Sequence, residues 1–144
     1  MCMVVFVASD YPLPTWPWDQ TRPAFHVTEV TDPADSIRQR FTKPYVFYAG
    51  SHEGCGCGFH YGPYGGGDPD AAVEPVVADC RRRFGDYLAV ALQHQSEVEV
   101  YACWSGDEEA PAEYHDRATP AELGMGEVYV RERELVIVSD AAAS

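Results

Sequence analysis

Four side chains able to hold a soft metal ion or to act as nucleophiles fall within nine residues: His52, Cys55, Cys57 and His60, spaced H-x2-C-x-C-x2-H about Gly56. Thiolates and imidazoles are soft or borderline donors. They suit zinc, copper or iron better than magnesium or calcium. Glycines at 54, 56 and 58 flank both thiols. Glycine admits left-handed backbone and close approach, so two thiolates one residue apart can turn toward one ion. Zinc is the ion we expect, because Cys and His ligands at ~2.0–2.3 Å require a wrap of this tightness. C-x-C is nonetheless less diagnostic than two C-x2-C pairs, and the spacings of zinc fingers are absent.

The same thiols support other chemistry. A disulfide between Cys55 and Cys57 would close a small, strained ring, and strained disulfides are labile or catalytic rather than structural. A redox or cysteine-dependent enzyme using Cys55 or Cys57 is therefore the alternative to metal binding. Thiols near a helix start react faster, but Asp68 and Asp70 precede the next helix and oppose that effect. Cys2 is a further candidate, either as a third thiolate or as an N-terminal nucleophile whose amine acts as base. Cys80 lies on an apolar helical stripe and reads as core, whereas Cys103 reads as accessible. The glycines also suggest a phosphate cradle, but no lysine follows them and the nearby acids repel phosphate. Asp10 and the run Asp107, Glu108 and Glu109 sit at strand ends, where a solvated acidic loop is the commoner explanation than acid–base work. A third reading has no chemistry at all: Trp16 and Trp18, in the proline-rich segment 11–23, would face a protein partner.

The elements that must position these groups follow from periodicity. Residues 2–9 and 44–49 are apolar on both faces and predict buried strands, with a further strand at 25–30. Thr31 or Asp32 can cap a short helix carrying Ile37 and Phe41. Val73, Val76, Val77, Cys80, Phe84, Tyr87, Leu88, Ala91 and Leu92 recur at helical spacing and predict a long helix ending near His94. Arg81, Arg82 and Arg83 would then fan outward to pair with surface acids. Residues 97–104 alternate, with Val98, Val100, Ala102 and Trp104 inward and Glu97, Glu99, Tyr101 and Cys103 outward. Residues 105–126 read as irregular with a helical turn at 120–123, and strands at 127–131 and 134–139 would form a closing hairpin. The two strand–helix–strand units would make strands two, three and four parallel, with strand one antiparallel to them. An antiparallel first strand starts at the sheet edge where the third strand ends, which would bring Cys2 toward the glycine loop.

The fold class is α/β, bordering on α+β: one mixed sheet of about six strands carrying one long and one short helix. One globular domain spans residues 1–144, with 141–144 a frayed tail. The length of 144 residues suits one domain. With 10 Lys+Arg against 23 Asp+Glu, a formal charge of −13, the surface repels nucleic acid and anionic lipid. That leaves a small molecule or a protein as partner. No charged segment precedes the apolar start and no stretch is long enough to span a bilayer, so the expected location is the cytoplasm. Five cysteines, an odd number, argue against a disulfide framework.

Met1-Cys2, the run ASDYPLPTWPW from Ala8, KPYVFYAG from Lys43 and GSHEGCGCGF from Gly50 to Phe59 resemble a family of small uncharacterised bacterial proteins. The resemblance covers roughly the first half of the chain, and GCGCGF is its specific part. It implies a bacterial cytosolic origin. It carries no assigned activity and so implies no substrate and no catalytic residue.

Overall fold

The computed structural model describes residues 2–21, 23–59 and 74–140. Six strands form one sheet: β1 (Met3–Ser9), β2 (His26–Glu29), β3 (Tyr45–Gly50), β4 (Val98–Trp104), β5 (Tyr114–Ala118) and β6 (Glu134–Val138). Their order across the sheet is β2-β3-β1-β4-β6-β5. Helix α1 (Pro75–Ala91) and the short α2 (Pro120–Met125) pack against it. This is the expected mixed sheet with one long and one short helix, and it falls in the α+β class.

β1 is the centre of the sheet because every residue in it is buried on both faces. It pairs antiparallel with β3 on one side and with β4 on the other, at registers Val5↔Ala49 and Val5↔Ala102. β3 and β4 therefore run the same way, as expected, with α1 crossing between them. β2 departs from expectation: it is antiparallel to β3, not parallel. The segment between them forms only a short 3-10 helix, Ser36–Arg40, which stays on the sheet face as the lid of a broad hairpin and carries no strand across.

One face holds Met3, Val5, Val7, Phe47, Ala49, Val98, Val100 and Ala102 under α1 and α2. The other holds Val4, Phe6, Ala8, Val46, Tyr101 and Cys103, covered by Ile37 and Phe41. That second layer overturns the expected half-exposed β4. Tyr101 and Cys103 are fully buried, and buried Glu99 accepts hydrogen bonds from the Thr42 N–H at 2.9 Å and its hydroxyl at 3.1 Å. Cys103 is thus not accessible.

The closing hairpin is also absent. Residues 127–131 are not a strand, and the N–H groups of Glu127 and Val128 return to the Glu122 carbonyl beyond the C-terminus of α2. The sixth strand is β5, inside the stretch expected to be irregular, and it pairs parallel to β6. α2 makes that crossover. It starts with a capping box between Thr119 and Glu122, with Pro120 in its first turn, and ends at Gly126 at φ +74°. β5 escapes an apolar-periodicity test because Tyr114, His115, Asp116 and Arg117 are all exposed along a sheet edge.

α1 begins with Pro75 in its first turn, where a missing N–H costs nothing. It ends at Ala91, one turn short of His94. Val73, Asp68 and Asp70 lie outside the described residues. Arg82 and Arg83 pair with Asp79 at the surface. Arg81 does not fan outward: it is buried, and its Nε–H donates to the Phe59 carbonyl at 2.6 Å.

Candidate metal centre

The glycine loop leaves the end of β3 and is folded by its own polar groups. Ser51 is fully buried. Its N–H and hydroxyl both donate to the Cys55 carbonyl, at 2.8 and 2.6 Å, and its Oγ accepts from the N–H groups of Glu53 and Gly58 at 3.2 and 3.0 Å. The Tyr48 hydroxyl, projecting from β3, donates to the Gly54 carbonyl at 2.8 Å. Gly54 sits at φ +87°, the left-handed region that a side chain resists. A 3-10 helix, Gly56–Phe59, ends on Phe59, which is fully buried and stacked on Phe84 with centroids 5.2 Å apart.

The loop is pressed against the start of β1. A Cβ at Gly56 would lie 2.8 Å from the Val5 Cγ2 and 3.0 Å from the Met3 carbonyl oxygen, so only glycine allows this approach. The contact lets the Met3 N–H donate to the Cys57 Sγ at 3.2 Å. It also gathers the sulfurs of Cys2, Cys55 and Cys57, which all lie within 4.8 Å of one another. Cys2 is exposed, Cys55 and Cys57 are half-buried, and none of the five cysteines is in a disulfide. The Cys2 carbonyl accepts from Ser105 N–H at 2.7 Å, which ties it to the end of β4. The three sulfurs can serve one metal ion. Sulfurs around a tetrahedral ion bonded at ~2.3 Å stand roughly 3.8 Å apart, so the group needs to contract by no more than about 1 Å.

Burial pushes the Cys55 thiol up to about 12, and the neighbouring Cys57 and Cys2 thiols add to the rise. Tyr48 is raised to about 12, first by burial and then by the same three cysteines. A metal would have to displace protons to bind, and its charge would offset the part of both shifts that comes from the neighbouring thiols.

The other expected ligands are placed differently. His52 is not in the three-sulfur group. Its ring folds over Gly58, where a Cβ would come within 2.7 Å of its Cε1, and its Nδ1 lies 3.5 Å from the Cys80 Sγ on α1. Cys80 is core, as expected. His60 lies outside the described residues. Among the described residues, no His nitrogen or carboxylate oxygen completes the sulfur group as a fourth member. Ser51 and Tyr48 are contributions that ligand-spotting misses; a serine three residues before a glycine at a strand end is the turn signal that could have found Ser51.

Trp16 forms a bridge to Val27 and packs edge-on against Phe25 and Tyr87, and Trp18 packs on His26. The proline-rich segment is thereby pinned along the β2 edge. Asp10 pairs with Lys43 at 2.6 Å. No described helix is long and apolar enough to cross a membrane. No family model, no curated protein and no solved structure matches the chain.

Proposed function

We propose that this protein binds a thiophilic transition metal ion, zinc, through Cys2, Cys55 and Cys57. The observation that supports this is the convergence of three free sulfurs, from a strand start and a separate loop, within 4.8 Å. One of them already accepts a backbone N–H, the contact that stabilises a thiolate. Three protein ligands leave the fourth position of a tetrahedral zinc ion to water or to His60. An open fourth position is the arrangement of a catalytic zinc site, and closure by His60 makes the site structural.

Elemental analysis of untagged protein, purified without added metal, tests this. The expected result is one zinc per chain, lost in Cys2→Ser, Cys55→Ser and Cys57→Ser and retained in His52→Ala. No stoichiometric metal, with all three thiols still reactive in excess zinc, rejects the reading.

The same convergence favours one second reading. Two of the three thiols can join in a disulfide when hydrogen peroxide takes two electrons; each thiol loses its proton and the peroxide leaves as two waters. Reversible oxidation that disappears in Cys55→Ser supports it, and unchanged oxidation counts against it.

A further inference from the structure

We infer that the Cys2, Cys55 and Cys57 site takes a trivalent arsenic oxyacid, arsenous acid, as a neutral tris-thiolate. This rests on the reading of the three sulfurs as one ligand set and names a further ligand class that the same set suits. The first argument is the donor count. The group is sulfur alone among the described residues, three donors with no nitrogen or carboxylate fourth. Trivalent arsenic is pyramidal and three-coordinate. Its lone pair occupies the position that zinc would need to fill, so three sulfurs complete its shell.

The second argument is charge. Three thiolates carry three negative charges, and no Lys or Arg occurs between Lys43 and Arg81. Those two are engaged elsewhere, Lys43 with Asp10 and Arg81 with the Phe59 carbonyl. On the β4 side, Ser105 holds the Cys2 carbonyl and is followed by Asp107 and Glu108. A divalent ion held by three thiolates leaves one negative charge on the site, and a monovalent ion leaves two. A trivalent centre leaves none, so a half-buried site gains no net charge on loading. The ligand also arrives uncharged, so a protein of formal charge −13 does not repel it as it would an oxyanion. Exposed Cys2 gives it a way in.

The chemistry balances without an oxidant. Three S–H and three As–O bonds break, three As–S and three O–H bonds form, and three waters leave. Arsenic stays trivalent throughout, and each thiol proton ends on a departing hydroxide.

The test uses the full chain, untagged, both metal-free and zinc-loaded, with a phosphine reductant. One equivalent of arsenite is added, followed by alkylation and mass spectrometry. The expected result is a gain of one arsenic less three protons, with Cys2, Cys55 and Cys57 protected together and zinc released. Cys80 and Cys103, 1% and 0% exposed, stay unalkylated and report an intact fold. Each of Cys2→Ser, Cys55→Ser and Cys57→Ser should weaken arsenic retention by at least the ~100-fold that changes beyond the ligands themselves can cause, with near-ultraviolet circular dichroism showing that the variant is folded. Zinc retained in the loaded sample, with the thiols of the metal-free sample still open to alkylation after arsenite, overturns this inference and leaves the metal reading standing. Arsenic retained equally well in Cys2→Ser overturns the three-sulfur shell. Neither zinc nor arsenic bound overturns both readings.

Discussion

A methyl group added at position 56 would drive apart the two halves of the candidate metal centre. In Gly56→Ala the new Cβ meets the Val5 Cγ2 at 2.8 Å and the Met3 carbonyl oxygen at 3.0 Å. Carbon contacts are relaxed at about 3.5 Å or more, so relief requires a shift of roughly 0.5–1 Å. β1 cannot supply it, because it is bonded to β3 and β4 on its two sides. The loop must move instead. The Cys57 Sγ then leaves the Met3 N–H, now 3.2 Å away, and the three sulfurs, now within 4.8 Å of one another, spread just where an ion needs them to contract. Overpacking costs about 1–3 kcal/mol and the lost hydrogen bond about 0.5–1.5 kcal/mol. The expected loss of stability is therefore roughly 2–4 kcal/mol, with zinc affinity down ~10–100-fold. Urea unfolding and competition for zinc against a chromophoric chelator measure the two effects. Gly54→Ala is the control: its φ of +87° makes alanine strained, by about 1–2 kcal/mol, yet nothing lies within 4 Å of the new methyl. It should lose stability and keep its affinity. If Gly56→Ala matches the unsubstituted protein within about 0.5 kcal/mol and binds zinc as well, the proposed packing of the loop on β1 is wrong.

Ser51→Ala leaves the Gly58 N–H without its acceptor in a buried position; it should cost about 1–3 kcal/mol in urea unfolding and lower zinc affinity as the turn loosens. Phe59→Ala removes the ring stacked on Phe84 and should cost about 3–5 kcal/mol, with the glycine loop becoming the first segment cut in limited proteolysis. Cys103, fully buried, is raised to about 12 from its ordinary value of 9.0 by burial and then by Glu108, Asp107 and Glu132. A thiol held protonated by the fold contributes stability that is complete below its unfolded pKa and is lost as pH rises toward the folded one. Metal-free protein should therefore lose stability between about pH 9 and 12, and Cys103→Ala should lose less, as urea midpoints across that range report; the same slope in both proteins contradicts a thiol held protonated at this position. Zinc affinity should run the other way and fall as pH falls, because thiol protons must leave before the ion binds; calorimetry in buffers of different ionisation enthalpy counts them.

Much of the frame was legible because it depends on local patterning. The two-sided apolar runs of β1 and β3 and the helical stripe from Val77 to Leu88 mark a central sheet with a long helix over it, and these elements formed. A third thiolate from Cys2 requires β1 to run antiparallel next to β3, and the pairing Val5↔Ala49 supplies this. The pattern is silent where one layer of the fold decides what another does. Cys103, Tyr101 and Glu99 were expected to face solvent because alternation in one strand cannot reveal that Ile37 and Phe41 cover its second face. β5 carries no sequence signal of this kind, because an exposed edge strand has no apolar period.

The amino-acid sequence by itself determined the inventory: which donors exist, that glycines separate them, and that no basic side chain lies between Lys43 and Arg81. The tertiary structure alone decided their grouping. It drew Cys2 into the sulfur set with Cys55 and Cys57, and it turned His52 toward Cys80. Ligand identity is a property of residue type, whereas ligand convergence depends on how a loop packs on a strand far away in the chain. Here that packing rests on Gly56 lying against Met3 and Val5.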